Sequence, residues 1–126
     1  MEKLIQSALD ARENSHAPYS GFAVGAAVEA SSGDIISGCN VESSSYGLTN
    51  CAERTALFRA VAEGYRSFKA MAVVSETGAS PCGACRQVIW DLCGDIPVII
   101  AKTDGSNKIR NASDLLPDAF GEGDLP

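Results

Sequence analysis

Residues 97–101 read Pro-Val-Ile-Ile-Ala, an apolar run with no polar residue to turn toward water. It is too short for a core helix, and its β-branched residues favour extended backbone. A strand of this kind is buried on both faces, so the chain must build a sheet and cover both sides of it. The rest of the sequence supplies the cover. Leu4, Ile5, Ala8 and Leu9 fall at helical spacing, which predicts a first helix over residues 2–15. His16-Ala17-Pro18 stops it, because the residue before a proline avoids helical backbone, and His16 is expected at that helix C-terminus, where the dipole favours a cation. Phe22, Val24, Ala26, Val28 and Ala30 alternate as in a half-buried strand; Ser32-Gly33 turns the chain, and residues 34–39 return.

A polar loop spans 40–50. Residues 51–63 predict a second helix ended by Gly64, residues 70–74 a strand, and residues 82–92 a third helix stopped by Gly94. Asp104-Gly105 marks a hairpin into a strand near 108–110, too tight for anything but an antiparallel pair. Ser113 is expected to cap a last short helical turn ahead of Pro117. The order gives an α/β chain of one domain, residues 1–126. Its architecture is three-layer α/β/α around a mixed five-stranded sheet, and only the connection through the third helix requires a parallel crossover.

Charge removes several functions. The chain has 126 residues, ten Lys and Arg, sixteen Asp and Glu, and a formal net charge of -6. Its bases are scattered, and residues 118–126 carry three acids and no base. A groove for nucleic acid needs a basic stripe, so nucleic acid is not expected as a partner. No apolar stretch has the length of a membrane span, and Asp10, Arg12 and Glu13 interrupt any signal-peptide core. The expectation is a cytoplasmic protein with reduced cysteines and no membrane partner.

Five cysteines and one histidine bound the chemistry. A single histidine excludes every zinc site built on two or three imidazoles, so sulfur must carry any metal. Cys82-Gly83-Ala84-Cys85 follows Pro81, and Cys51-Ala52-Glu53 lies about thirty residues earlier; both open predicted helices. Residues three apart share a helix face, so Cys82 and Cys85 can bind one ion, with Cys51 as the third ligand and a fourth position open. That is the layout of a catalytic zinc. A redox dithiol at Cys82 and Cys85 is a second reading. A four-cysteine structural zinc without catalysis, with Cys39 as fourth ligand, is a third. Cys93 is about 16 Å along a continuous helix from Cys82 and cannot join. Outside a metal site, Cys39 and Cys93 are expected to be small buried apolar residues.

Cys51-Ala52-Glu53 with Pro81-Cys82-Gly83-Ala84-Cys85 resembles the signature of the zinc-dependent cytidine deaminases. Pro18-Tyr19-Ser20, Gly38-Cys39-Asn40-Val41-Glu42, Ser45-Tyr46-Gly47 and Leu115-Leu116-Pro117 with Ala119-Phe120 extend the likeness, over nearly the whole chain, to the small homotetrameric nucleoside enzymes. Gly21 and Ser43-Ser44 depart from that pattern. The resemblance implies hydrolytic deamination of cytidine and deoxycytidine in pyrimidine salvage, one Zn²⁺ per chain on Cys51, Cys82 and Cys85, and Glu53 as proton shuttle. It implies that Phe22 packs on the base and that Asn40 and Glu42 bind the ribose 3′-hydroxyl. The Ala52 N–H and Ser80 carbonyl would read the base edge, and Tyr46 and Phe120 would reach a neighbouring subunit. Three thiolates leave zinc with a net charge of -1, which weakens it as a Lewis acid; the resemblance assigns the compensating hydrogen bonds to Arg54. Arg86 directly follows Cys85 and is a second candidate for that compensation, with a surface role standing at least level with it. Deamination of a related nucleoside such as blasticidin S is the alternative within the same zinc core.

Overall fold

The computed structural model describes residues 1–126. In chain order the elements are α1 (Glu2–Arg12), β1 (Val24–Ala30), β2 (Ile35–Cys39), α2 (Ala52–Ala62), β3 (Phe68–Ser75), α3 (Gly83–Cys93), β4 (Pro97–Lys102), β5 (Asn107–Asn111) and α4 (Ala112–Leu115). The strands form one sheet in the order β2-β1-β3-β4-β5. Only β3 and β4 run parallel, joined through α3; the other three pairings are antiparallel. This is the mixed five-stranded sheet that the order of elements predicts. No helix is long and apolar enough to cross a membrane.

The apolar run at residues 97–101 divides its side chains between two cores, as alternation along a strand requires. Ile99 and Ala101 of β4 join Ala72 and Val74 of β3 beneath Leu4 and Ala8 of α1. Val98 and Ile100 join Met71 and Val73 on the opposite face, against Leu57 and Ala60 of α2 and Ile89 of α3. Helices therefore cover both faces.

The helices sit on the sheet more closely than apolar side chains alone would allow. A Cβ placed on Gly25 of β1 would land on the Ala8 carbonyl oxygen and come within 2.8 Å of the Arg12 nitrogen of α1. One on Gly38 of β2 would strike the Ala56 backbone nitrogen and approach the Ala56 Cα at 2.9 Å in α2. Both glycines permit backbone-to-backbone contact between helix and strand. The sheet's two outer strands are short. All five residues of β5 are exposed, and β2 has its Ser37 carbonyl taken by Arg59 of α2 at 3.1 Å.

Four expectations need correction. First, α1 ends at Arg12, and residues 13–15 leave it in turns. His16 is therefore not a helix C-terminal residue. Its N–H donates to the Asn40 carbonyl and its own carbonyl accepts from the Glu42 N–H, so strand-like pairing with the 40–42 segment replaces another helical turn. Second, β3 runs over Phe68–Ser75, longer than residues 70–74, because the end residues Phe68 and Ser75 are buried too. Third, Ser113 does not cap α4: Asn111 holds the cap position, and the Ser113 N–H and hydroxyl both donate to the Asp95 carboxylate at 2.8 and 2.9 Å. Fourth, Cys39 and Cys93 are half-buried rather than fully inside. Cys93 still packs against the core, and burial pushes its thiol up to about 12.

Candidate active site

Two helix starts converge at one place. Cys51 and Cys82 hold the N-cap positions of α2 and α3 with extended backbone, and neither side chain caps its helix. Both sulfurs are thus free to turn toward a common point, and Cys85 follows on the first turn of α3. The Cys51 and Cys82 sulfurs are 3.8 Å apart, those of Cys82 and Cys85 3.5 Å, and all three lie within 4.8 Å of one another. A tetrahedral zinc with Zn–S bonds of about 2.3 Å spaces its sulfurs roughly 3.8 Å apart, so the donor set and its dimensions fit that ion. Cys39 and Cys93 are not in the cluster. A closed four-sulfur site is therefore not what these residues build.

The surroundings favour thiolate at Cys51. The hydrogen bond from Cys85, then those from Arg54 and Cys82, hold the Cys51 thiol down at about 5 against the opposing effect of burial. The same interaction with Cys51, with burial, pushes the Cys85 thiol up. Arg54 Nη2 donates to the Cys51 sulfur at 3.4 Å. Its Nε is buried without an acceptor, so sulfur contacts are what hold this guanidinium in place. Unpaired N–H groups at the two helix starts add positive potential at the same point.

Glu53 lies one residue past Ala52 and is 4% exposed. Burial raises its carboxyl to about 7, the Cys51 charge adding to the shift. A carboxyl with this affinity can hold or release a proton at neutral pH, as general acid–base work demands. Glu53 shares a cavity of about 260 Å³ with Cys51 and Cys82. The site thus combines three clustered cysteine sulfurs, a buried carboxyl poised near neutrality and an adjoining cavity.

A family model described as the cytidine and deoxycytidylate deaminase zinc-binding region matches residues 1–101. The chain belongs to this deaminase family. It is 52% identical to a cytidine deaminase of Sporosarcina psychrophila, over 99% of this chain and 94% of that protein. The crystal structure of a cytidine deaminase from Burkholderia pseudomallei superposes with a TM-score of 0.90 at 53% identity, covering 94% of this chain and 98% of that one. A blasticidin-S deaminase of Bacillus cereus is more distant, 36% identical over 75% of this chain and 74% of that protein. Zinc is the ion that this deaminase family and the Cys51, Cys82 and Cys85 cluster agree on.

Against that family pattern, the fold gathers most of the residues expected from the sequence. Phe22, Asn40, Glu42, Ala52 and Ser80 line the same cavity as Glu53. Tyr46 and Phe120 do not. Tyr46 is 73% exposed and stacks edge-on against Tyr19, with ring centroids 5.7 Å apart, over an adjoining depression that also borders Ser20, Glu42 and Thr49. Phe120 is 57% exposed, and its carbonyl accepts from Gln87 Nε2 at 2.8 Å. Thr49 and Asn50 line the cavity and were not singled out from sequence. Their place just before Cys51 was the available signal.

Asn40 and Glu42 are already engaged with the protein. Asn40 Oδ1 accepts from the Val24 N–H at 2.9 Å and from the Ser15 hydroxyl, while Nδ2 donates to the Phe22 carbonyl at 2.8 Å. The amide thus fixes the backbone on both sides of Ala23. Glu42 accepts from the Ser20 hydroxyl and from the Tyr19 and Ser20 N–H groups, and the Ser20 bonds hold its carboxyl below the usual range. Asn40→Ala would leave the Val24 N–H and Phe22 carbonyl unpaired, at about 1–3 kcal/mol. We expect a lower melting temperature together with a raised KM for the nucleoside. A variant with unchanged KM would show that Asn40 does not shape the cavity.

Proposed function

We propose that the chain hydrolyses the 4-amino group of cytidine and deoxycytidine, adding water and releasing ammonia to leave uridine and deoxyuridine. The observation that carries this is the Glu53 carboxyl, buried beside three clustered cysteines and held near neutrality. Roughly half-identity to named cytidine deaminases over nearly the full chain supports the substrate. Zinc bound by Cys51, Cys82 and Cys85 supplies Lewis acidity and activates water at neutral pH.

The protein's own residues do the rest. Glu53 takes the proton released as water attacks C4 and passes it to ring N3; it then takes the second proton from the new C4 hydroxyl and gives it to the amine, which leaves as ammonia while C4 becomes a carbonyl. Ala52 opens α2, where the first N–H groups lack intrahelical partners, so its N–H is free to donate to the base edge while the Ser80 carbonyl accepts from it. Phe22 packs on the ring. Asn40 and Glu42 take the 3′-hydroxyl, Asn40 through the amide hydrogen that Phe22 does not use and Glu42 through its remaining acceptor capacity.

We further propose a homotetramer in the cytoplasm, with Tyr46 and Phe120 reaching neighbouring subunits. Supporting this, the cavity of about 260 Å³ is below the usual ligand-pocket range of about 300–1,000 Å³. Tyr46 and Phe120 are exposed aromatic side chains with no use inside their own chain's cavity. Sedimentation of the purified protein measures the assembly, and a monomeric species with full activity would refute it.

Arg54 draws charge from the thiolates. Arg54→Gln is expected to lower kcat at least tenfold, about 1.4 kcal/mol, with zinc retained. Full turnover in a zinc-loaded variant would remove Arg54 from this role. The function itself is tested by measuring zinc per chain and following ultraviolet absorbance with cytidine, single-stranded DNA and blasticidin S in parallel. One zinc per chain without conversion of cytidine would reject the reading, and preferential conversion of blasticidin S would replace it.

A further inference from the structure

Arg86, open between a surface role and the thiolates on sequence alone, is engaged with two backbone carbonyls. Its Nε donates to the Pro81 carbonyl at 2.7 Å, and Nη1 donates to the Leu115 carbonyl at 2.9 Å. The side chain is half-buried, and the two carbonyls belong to distant segments, the loop before α3 and the end of α4. We propose that Arg86 is a positioning residue for the zinc site, holding the loop that presents Cys82. The inference rests on Cys82 being a zinc ligand.

The three cysteines differ in how the fold supports them. Cys85 is buried and Cys51 half-buried, but Cys82 is exposed and has the least packing to fix it. The Pro81 ring is fully buried, but the residues before Cys82 have few hydrogen bonds to fix their backbone. Ala79 donates its N–H to Ser75 Oγ at 2.9 Å, and the Gly78 N–H reaches the Ser75 carbonyl only at 3.4 Å. Pro81 has no N–H to give. Its carbonyl bond to Arg86 is the tie nearest to Cys82 on that side, and a charged donor makes it stronger than an ordinary amide bond. The fork of the guanidinium then anchors this tie to Leu115. Lysine carries the charge but is a single flexible point and cannot reproduce the planar fork.

The test is the rate at which a colorimetric chelator removes zinc from the loaded protein. Arg86→Gln is expected to release zinc at least tenfold faster than wild type, and Arg86→Lys at an intermediate rate. Gln87→Ala cuts the neighbouring tie to the Phe120 carbonyl and is expected to release zinc at the wild-type rate. In cobalt-substituted protein, the thiolate-to-metal absorption of Arg86→Gln should shift or weaken. Release within twofold of wild type in the Arg86 variants would overturn the proposal, even if their melting temperatures fall. So would equal acceleration in Gln87→Ala, which would indicate general loosening of the C-terminal segment. If Arg86→Gln does not fold, Arg86→Lys decides by the same criterion. A wild-type chain that binds no zinc would reject the zinc reading, and this proposal with it.

Discussion

Glu53→Gln is expected to retain one zinc per chain and lose about a thousandfold in kcat. Positioned proton transfer contributes about 10²–10⁴-fold, and Glu53 is proposed to move protons at more than one step, which places its removal well above the lower end of that range. Glutamine keeps the shape and much of the hydrogen bonding but cannot carry a proton between water, ring and amine. A variant within tenfold of wild type would sink the assignment. The same substitution has a second signature. The Glu53 carboxyl is held near 7 in the fold, up from an ordinary 4.5. A group so raised penalises the native state progressively as pH climbs above 4.5, and the full penalty is present above pH 7. Glutamine carries none of it. Zinc-free Glu53→Gln should therefore melt higher than zinc-free wild type at pH 8, with the gap closing toward pH 4. No gap at pH 8 would show that burial does not disfavour the charged carboxylate at this position.

The largest expected loss of stability comes from two residues with no side chain. Gly25→Ala and Gly38→Ala each drive a methyl group into helix backbone, at Ala8 and Arg12 of α1 and at Ala56 of α2 respectively. Backbone cannot rotate aside as a side-chain end can. We expect each variant to lose about 3 kcal/mol, at or beyond the upper end of ordinary overpacking. Gly47→Ala, where an added Cβ meets nothing within 4 Å, is the control and should melt like wild type. Gly38→Ala should also impair zinc retention, because α2 carries Cys51, Glu53 and Arg54 at its start. Denaturant melts of the three variants check this, and a Gly38→Ala protein as stable as Gly47→Ala would refute the close approach.

What could be read from the sequence had local causes. Alternation along residues 22–30 and the unbroken run at 97–101 specify strands because strand side chains alternate between faces. The cysteine spacing specifies a shared ligand set because three residues make nearly one helical turn. What escaped was set by partners distant in sequence. Nothing beside Gly25 or Gly38 tells that a helix backbone rests on it. Asn40 looks like a loop residue until it is found bonded to Ser15, Phe22 and Val24. Arg86 looks solvated until its carbonyl partners, one of them 29 residues away, are in view. His16 was misplaced for the same reason, since its pairing with the 40–42 segment outweighs a local helical signal.

The sheet's two ends bear on how the protein behaves in concentrated solution. An outer strand normally offers a row of unused N–H and C=O groups on which another chain's strand can add, the route to fibrous aggregates. Here one end is a five-residue strand carrying Lys108 and Arg110 around Ile109, and at the other Arg59 occupies the Ser37 carbonyl while paired with Glu63 at 3.1 Å. A newcomer would meet the exposed charges of Lys108 and Arg110 at one end and an already occupied carbonyl at the other. Strand addition is therefore discouraged at both borders, which leaves helix and loop surfaces as the places where copies of this chain can meet.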